Sequence, residues 1–163
     1  MKSGFVLIEE PSAIAFQSLY GGVLKRLSFP KSKRLLSNSQ FKAVLARRIS
    51  ARDSLLTVFT AENDCDCPRL GLSVGKTCGN AVVRNRLKRL LREAFRLSQD
   101  RIEGGFDYVV MLSHPLSKKM REGAGQAASA EPSLKQLEAS ILSLAAAAVE
   151  KARKHRRVGR KTL

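Results

Sequence analysis

Apolar positions recur along this chain with two different periods, and their order predicts an α+β fold. Between Ala81 and Leu97, the side chains of Leu87, Leu90, Leu91, Ala94 and Leu97 fall in one sector when spaced about 100° apart, with Phe95 at its margin. Lys88, Arg89, Arg92 and Arg96 fall on the other side with Asn85, and Arg84 and Arg86 take the two borders. Gly79-Asn80 marks the start of this helix, because an Asn side chain can accept from the orphan N–H groups of a first turn. The pattern predicts a central helix to about Gln99, ended before Gly104-Gly105.

Upstream, Leu35–Arg48 carries a second helical pattern. Ser37, Asn38 or Ser39 can cap it, and Phe41, Val44, Leu45 and Arg48 follow at helical spacing. After a short extended piece, Ile49–Ala51, the β-branched and aromatic run Ser54–Thr60 reads as a strand, and Ala61–Pro68 as a turn. In Arg69–Gly75, Leu70, Leu72 and Val74 alternate with Gly71, Ser73 and Gly75. That strand has one apolar face and one small enough for a partner to approach the backbone. The spacing from Thr60 to Arg69 predicts an antiparallel hairpin with a long loop. Phe106–Leu112 is the clearest strand, closed by His114-Pro115, and Ser117–Pro132 reads as a loop. From Ser133, the series Leu134, Leu137, Ile141, Leu144, Ala145 and Ala148 predicts an amphipathic closing helix that covers the sheet.

The two ends differ from this core. Residues 1–32 show no sustained period beyond a short helical stretch around Ala13–Tyr20, and read as a flexible extension. Residues 33–153 form one domain, and 154–163 read as a basic, disordered tail that adds non-specific affinity for nucleic acid.

Charge sharpens the picture. The chain has 163 residues and a formal net charge of +16, which calls for a polyanionic partner, nucleic acid ahead of an anionic membrane. On the central helix, Glu93 is the only acid beside Arg84, Arg86, Lys88, Arg89, Arg92 and Arg96. Such crowding costs helix stability unless phosphates neutralise it, and the planar guanidinium holds phosphate oxygens bidentately. No apolar run approaches the roughly 18 residues needed to span a bilayer. Three cysteines without a framework spacing fit a reducing cytoplasm.

Catalytic chemistry is missing from the pattern. Cys65-Asp66-Cys67 falls short of a four-ligand zinc site, since only Cys78, His114 and His155 could join it. HExxH and Walker patterns are absent, and the core carboxylates are scattered rather than clustered to hold Mg²⁺. The polypeptide by itself does not read as a nuclease. A DNA-binding basic helix would need a dimerising heptad seam or a second helix at a tight turn, and neither is present. A general or ribosome-associated RNA-binding protein would share the charge but not the long ordered run described next.

The run Arg69–Lys76, then Gly79–Arg86 with its Arg84-Asn85-Arg86 core, then Lys88–Phe95 closely resembles the protein component of bacterial ribonuclease P. The resemblance extends more weakly from about Leu35 to Ala152. It implies a single α/β sandwich of order α-β-β-β-α-β-α, a small mixed sheet covered by helices. It also implies a left-handed β-α-β crossover, although about 98% of such units are right-handed. Implied too is an accessory subunit, one per catalytic RNA, in an enzyme that removes the 5′ leader of precursor tRNA. In that family the RNA carries the catalytic centre and holds the Mg²⁺. By resemblance Arg84, Asn85, Arg86, Lys88, Arg89, Arg92 and Arg96 dock on the catalytic RNA, while Phe41, Val58 and Lys76 line a cleft for the single-stranded leader. Two positions depart from the pattern: Leu45 stands where a second Phe is often found, and Thr77 where a second Lys is common.

Overall fold

A computed structural model describes residues 29–122 and 131–160. Helix α1 spans Asn38–Ala46, strand β1 Ser50–Arg52, β2 Leu56–Glu62 and β3 Arg69–Ser73. The central helix α2 runs Ala81–Ser98, β4 Phe106–Leu112, α3 His114–Glu122 and α4 Leu134–Arg160. Ser37 caps α1 in a reciprocal capping box with Gln40, and Asn80 caps α2 by accepting from the Val83 amide at 3.0 Å. Both helix starts therefore rest on the side chains that the sequence offers for them.

The four strands lie in the order β1-β2-β4-β3, with β1/β2 and β2/β4 antiparallel and β3/β4 parallel. The hairpin expected between β2 and β3 does not form. β4 inserts between them, pairing Ala61 on one side and Arg69 on the other with Asp107. The tight hairpin is instead β1–β2, turned by Asp53, whose carboxylate accepts from the Leu55 and Leu56 amides at 2.7 Å. β4 is the most apolar strand, buried from Phe106 to Val110, and a strand buried on both faces belongs in the middle.

Alternation along the strands gives the sheet two unlike faces. Leu56, Val58, Leu70, Phe106, Tyr108 and Val110 join Leu87, Leu91, Phe95, Leu137, Ile141 and Ala148 in the main core, beneath α2 and α4. Phe95, placed at the margin by the helical pattern, is only 1% exposed and packs on Tyr108. The opposite face carries a smaller cluster, Leu35, Val44, Ala61 and Val109 with Phe41, Leu45, Phe59 and Met111, covered among the described residues by α1. A Cβ at Gly71 would stand 2.8 Å from Cζ of Phe41, so the missing side chain is what admits this ring against β3. Gly104 is required for a similar reason, since a Cβ there would reach 2.3 Å from the Asp66 carbonyl oxygen.

Three further expectations change. Residues 117–122, read as loop, belong to α3, which buries Leu116 and Met120; residues 123–130 lie outside the described residues. The element order thus gains a helix between β4 and α4. The stretch from Lys154, expected to be disordered, continues α4 to Arg160. Of the expected extension, residues 1–28, including the helix around Ala13–Tyr20, lie outside the described residues. Phe29 packs on Phe95 with ring centroids 5.7 Å apart, and the Arg34 guanidinium stands 5.2 Å over its ring. Leu35 then donates its amide to the Leu70 carbonyl, which pairs part of the otherwise open β3 edge.

Burial pushes the Tyr108 hydroxyl well above its ordinary value of 10.0, with the Glu103 charge acting the same way. The hydroxyl also donates to the Glu103 carbonyl at 2.9 Å. The folded chain keeps this proton where the unfolded chain releases it, so its contribution is complete below the unfolded value and declines above it. The decline should approach about 1.4 kcal/mol per pH unit. Urea midpoints above about pH 10 should therefore fall less steeply in Tyr108→Phe than in the parent protein.

Candidate nucleic-acid interface

The central helix carries the row of cations from Arg84 to Arg96. Leu87 and Leu91 are fully buried on its inner side, which fixes the rotation of the helix and turns its cationic side outward. Asn85, Arg86 and Arg89 are exposed, while Arg84, Lys88, Arg92 and Arg96 are half-buried, with their stems lying along the protein. Ion pairs divide this row. Arg96 grips Glu93 through two hydrogen bonds, Nε at 2.9 Å and Nη2 at 2.5 Å, which holds the Glu93 carboxyl below its usual range. Arg86 pairs with Glu131 at 3.1 Å, although its own side chain stays 70% exposed. Among the described residues no ion pair engages Lys88, Arg89 or Arg92.

Lys88 and Arg92 lie one turn apart and meet Phe41 across the edge of β3. With Phe29, Arg34, Leu35, Leu36, Leu70 and Leu72 they line an open pocket of about 230 Å³. Phe41 rests on Gly71 and is half-buried, so its ring is both packed and accessible. The helical row and the α1 aromatic, which the sequence presents as two separate surfaces, thus share one rim. An apolar floor beneath two cations suits a nucleic-acid strand, with bases on the floor and phosphates at the rim.

The other expected cleft residues do not converge there. Val58 is 1% exposed and belongs to the core beneath α2 and α4, on the far face of the sheet. Its neighbour Phe59 points to the α1 face, because successive strand residues alternate. Phe59 is the residue the sequence reading missed. Its signal was the hydrophobic parity of β2, where Leu56, Val58 and Thr60 share the core side. Lys76 is exposed on a short 3-10 turn, Lys76–Cys78, between β3 and α2, away from the Phe41 pocket.

Several core carboxylates are engaged by arginines rather than gathered. Asp107 holds Arg69, and Glu62 and Glu103 hold Arg156 and Arg153. Among the described residues no three His, Cys, Asp or Glu side chains stand together in a way that could hold a metal ion. Nor is any described helix long and apolar enough to cross a membrane.

Comparison with known proteins gives one consistent family. The Ribonuclease P family model matches residues 29–138. The ribonuclease P protein component of Syntrophus aciditrophicus is 40% identical over 88 residues, 54% of this chain and 74% of that protein. That of Methylococcus capsulatus is 47% identical over 88 residues, 53% of this chain and 68% of that protein. Among solved structures, the RNase P protein from Thermotoga maritima superposes with a TM-score of 0.56 at 29% identity, covering 68% of this chain and 92% of that one. The Staphylococcus aureus RNase P protein gives a TM-score of 0.53 at 27% identity, covering 67% and 88%. The matched span contains α1, the whole sheet, the central helix and the Phe41–Lys88–Arg92 rim, and on that ground the chain belongs to the ribonuclease P protein family.

Proposed function

We propose that this protein is the accessory subunit of a cytoplasmic ribonuclease P, bound one to one with a catalytic RNA, and that it helps remove the 5′ leader of precursor tRNA. The observation that carries the reading is the shared rim, where the unpaired cations of α2 stand over an apolar pocket that includes Phe41. Asn85, Arg86, Arg89 and Arg92 face outward to meet RNA phosphates, with Arg84 at the border and Arg96 contributing after partial neutralisation by Glu93. The single-stranded leader lies across the α1 face of the sheet, near Phe41 and Phe59, and Lys76 supplies a phosphate contact at the β3 end. The Mg²⁺ of the reaction belongs to the RNA in this reading, and the protein orients the scissile bond toward it. Precursor has a leader to hold and mature tRNA has none, so leader contact favours substrate and releases product.

The test is binding of the reconstituted holoenzyme to precursors with and without a leader. Phe41→Ala should cost roughly 1–3 kcal/mol in affinity for the precursor and nothing for leaderless tRNA. Phe41→Leu keeps an apolar filler over Gly71 and should lose leader affinity while melting near the parent temperature. Equal weakening of both ligands by Phe41→Leu would show that the ring is only packing.

A further inference from the structure

Past the buried Ala152, helix α4 continues to Arg160, and residues 153–157 are all exposed. The helix overhangs the sheet at the β1 edge, opposite the edge that α2 flanks. Lys151 donates to the Ser50 carbonyl at 2.8 Å, and Arg156 pairs with Glu62 at 3.1 Å. Across from the overhang stands the C-terminal end of α1. Between them lies a notch of about 380 Å³ with an apolar floor of Ala46, Ile49, Ala61 and Ala152. Its walls carry Arg47 from α1 and His155 and Arg156 from α4, against one acid, Glu62. Ala61 belongs to the same cluster as Phe41 and Phe59, so the notch continues the α1 face of the sheet.

We propose that this notch is a second single-strand subsite, which holds the part of the leader farther from the cleavage site. The inference rests on the leader reading above. An apolar floor between cations fits a base flanked by phosphates. The overhang also places cations where a strand leaving the Phe41 rim would arrive, after crossing four strands spaced about 4.8 Å apart. Arg156 is now held by Glu62, and an exposed pair of this kind is weak enough for a phosphate to replace the carboxylate. The cationic tail of α4 thereby gains a reason to be helical: it projects its charges beside α1 instead of dispersing them.

The experiment uses full-length protein with its catalytic RNA and three precursors, with no leader, a leader of roughly 4 nucleotides and one of roughly 16. The parent should bind the long leader more tightly than the short one, and the short one more tightly than none. Arg47→Gln with Arg156→Gln should erase the long-over-short advantage and keep the short-over-none advantage. Its salt dependence on the long leader should be shallower by about 1.4 in the log–log slope, about 0.7 for each of two contacts. Glu62→Gln, which releases Arg156, should act in the opposite direction and strengthen long-leader binding. A long-over-short advantage that survives the double variant, or that the parent never shows, overturns the subsite. So does a loss shared equally by leaderless tRNA. If the parent shows no leader dependence at all, the leader reading itself has failed and the subsite falls with it.

Discussion

Removing Lys88 and Arg92 together should lower holoenzyme affinity for precursor tRNA on the order of 100-fold without weakening the fold. Each charge-assisted hydrogen bond to a phosphate is worth about 1.5 kcal/mol at the low end, so two give about 3 kcal/mol. The side chains stand four residues apart on α2, where like charges repel. Lys88→Gln with Arg92→Gln relieves that repulsion, keeps much of the stems that lie along the protein and places two good helix formers, so the melting temperature should hold or rise. Few substitutions combine a large loss of binding with unchanged or higher stability, and that combination separates an interface from a solvated face. Filter binding over a salt series, with thermal melts of the same samples, reads both quantities. A loss below about 3-fold would remove the pocket rim from the RNA interface.

Asp107→Ala should destabilise the protein by about 3 kcal/mol, the lower end for breaking a buried ion pair. Asp107 lies in the central strand β4, and its carboxylate receives Arg69 Nε at 2.6 Å and Nη2 at 2.7 Å. It also accepts from Asn63 Nδ2 at 2.8 Å, and Asn63 in turn holds the turn 63–68 through the Cys65 amide and the Cys67 carbonyl. The Arg69 guanidinium is raised further above its already high ordinary value, chiefly by this hydrogen bonding, so it stays charged. Alanine at 107 would strand that charge with its side chain only 23% exposed. It would also release the turn between β2 and β3. Asp107→Asn keeps one acceptor and should lose less. Denaturant titrations of the two variants check the order, and equal losses would mean that the carboxylate charge carries the whole effect and the retained acceptor contributes nothing.

Local pattern was sufficient for the elements closest to the site. The cap at Asn80, the Leu87–Leu91 side and the opposing cations of α2 follow from helical spacing, and β4 follows from an apolar run broken only by Asp107. Each depends on neighbours within a turn or two, which is the range that periodicity and capping sample. Misreadings began where a weak local pattern met a strong tertiary contact. His114–Glu122 contains Pro115 and many charges, yet becomes helical because Leu116 and Met120 reach the core. A proline in a first helical turn removes no internal hydrogen bond.

The sequence alone determined that this protein has a basic central helix with one buried side and a strong strand after it. Only the tertiary structure decided that β4 separates β2 from β3, and that Phe41 lies on Gly71 beside Lys88 and Arg92. It also decided that Phe59, not Val58, faces α1. A strand's side-chain period is two, so a shift of a single position exchanges the main core face for the α1 face. Strand order and the meeting of distant side chains are set by which closure buries most apolar surface, an outcome of the whole chain that no window along it contains.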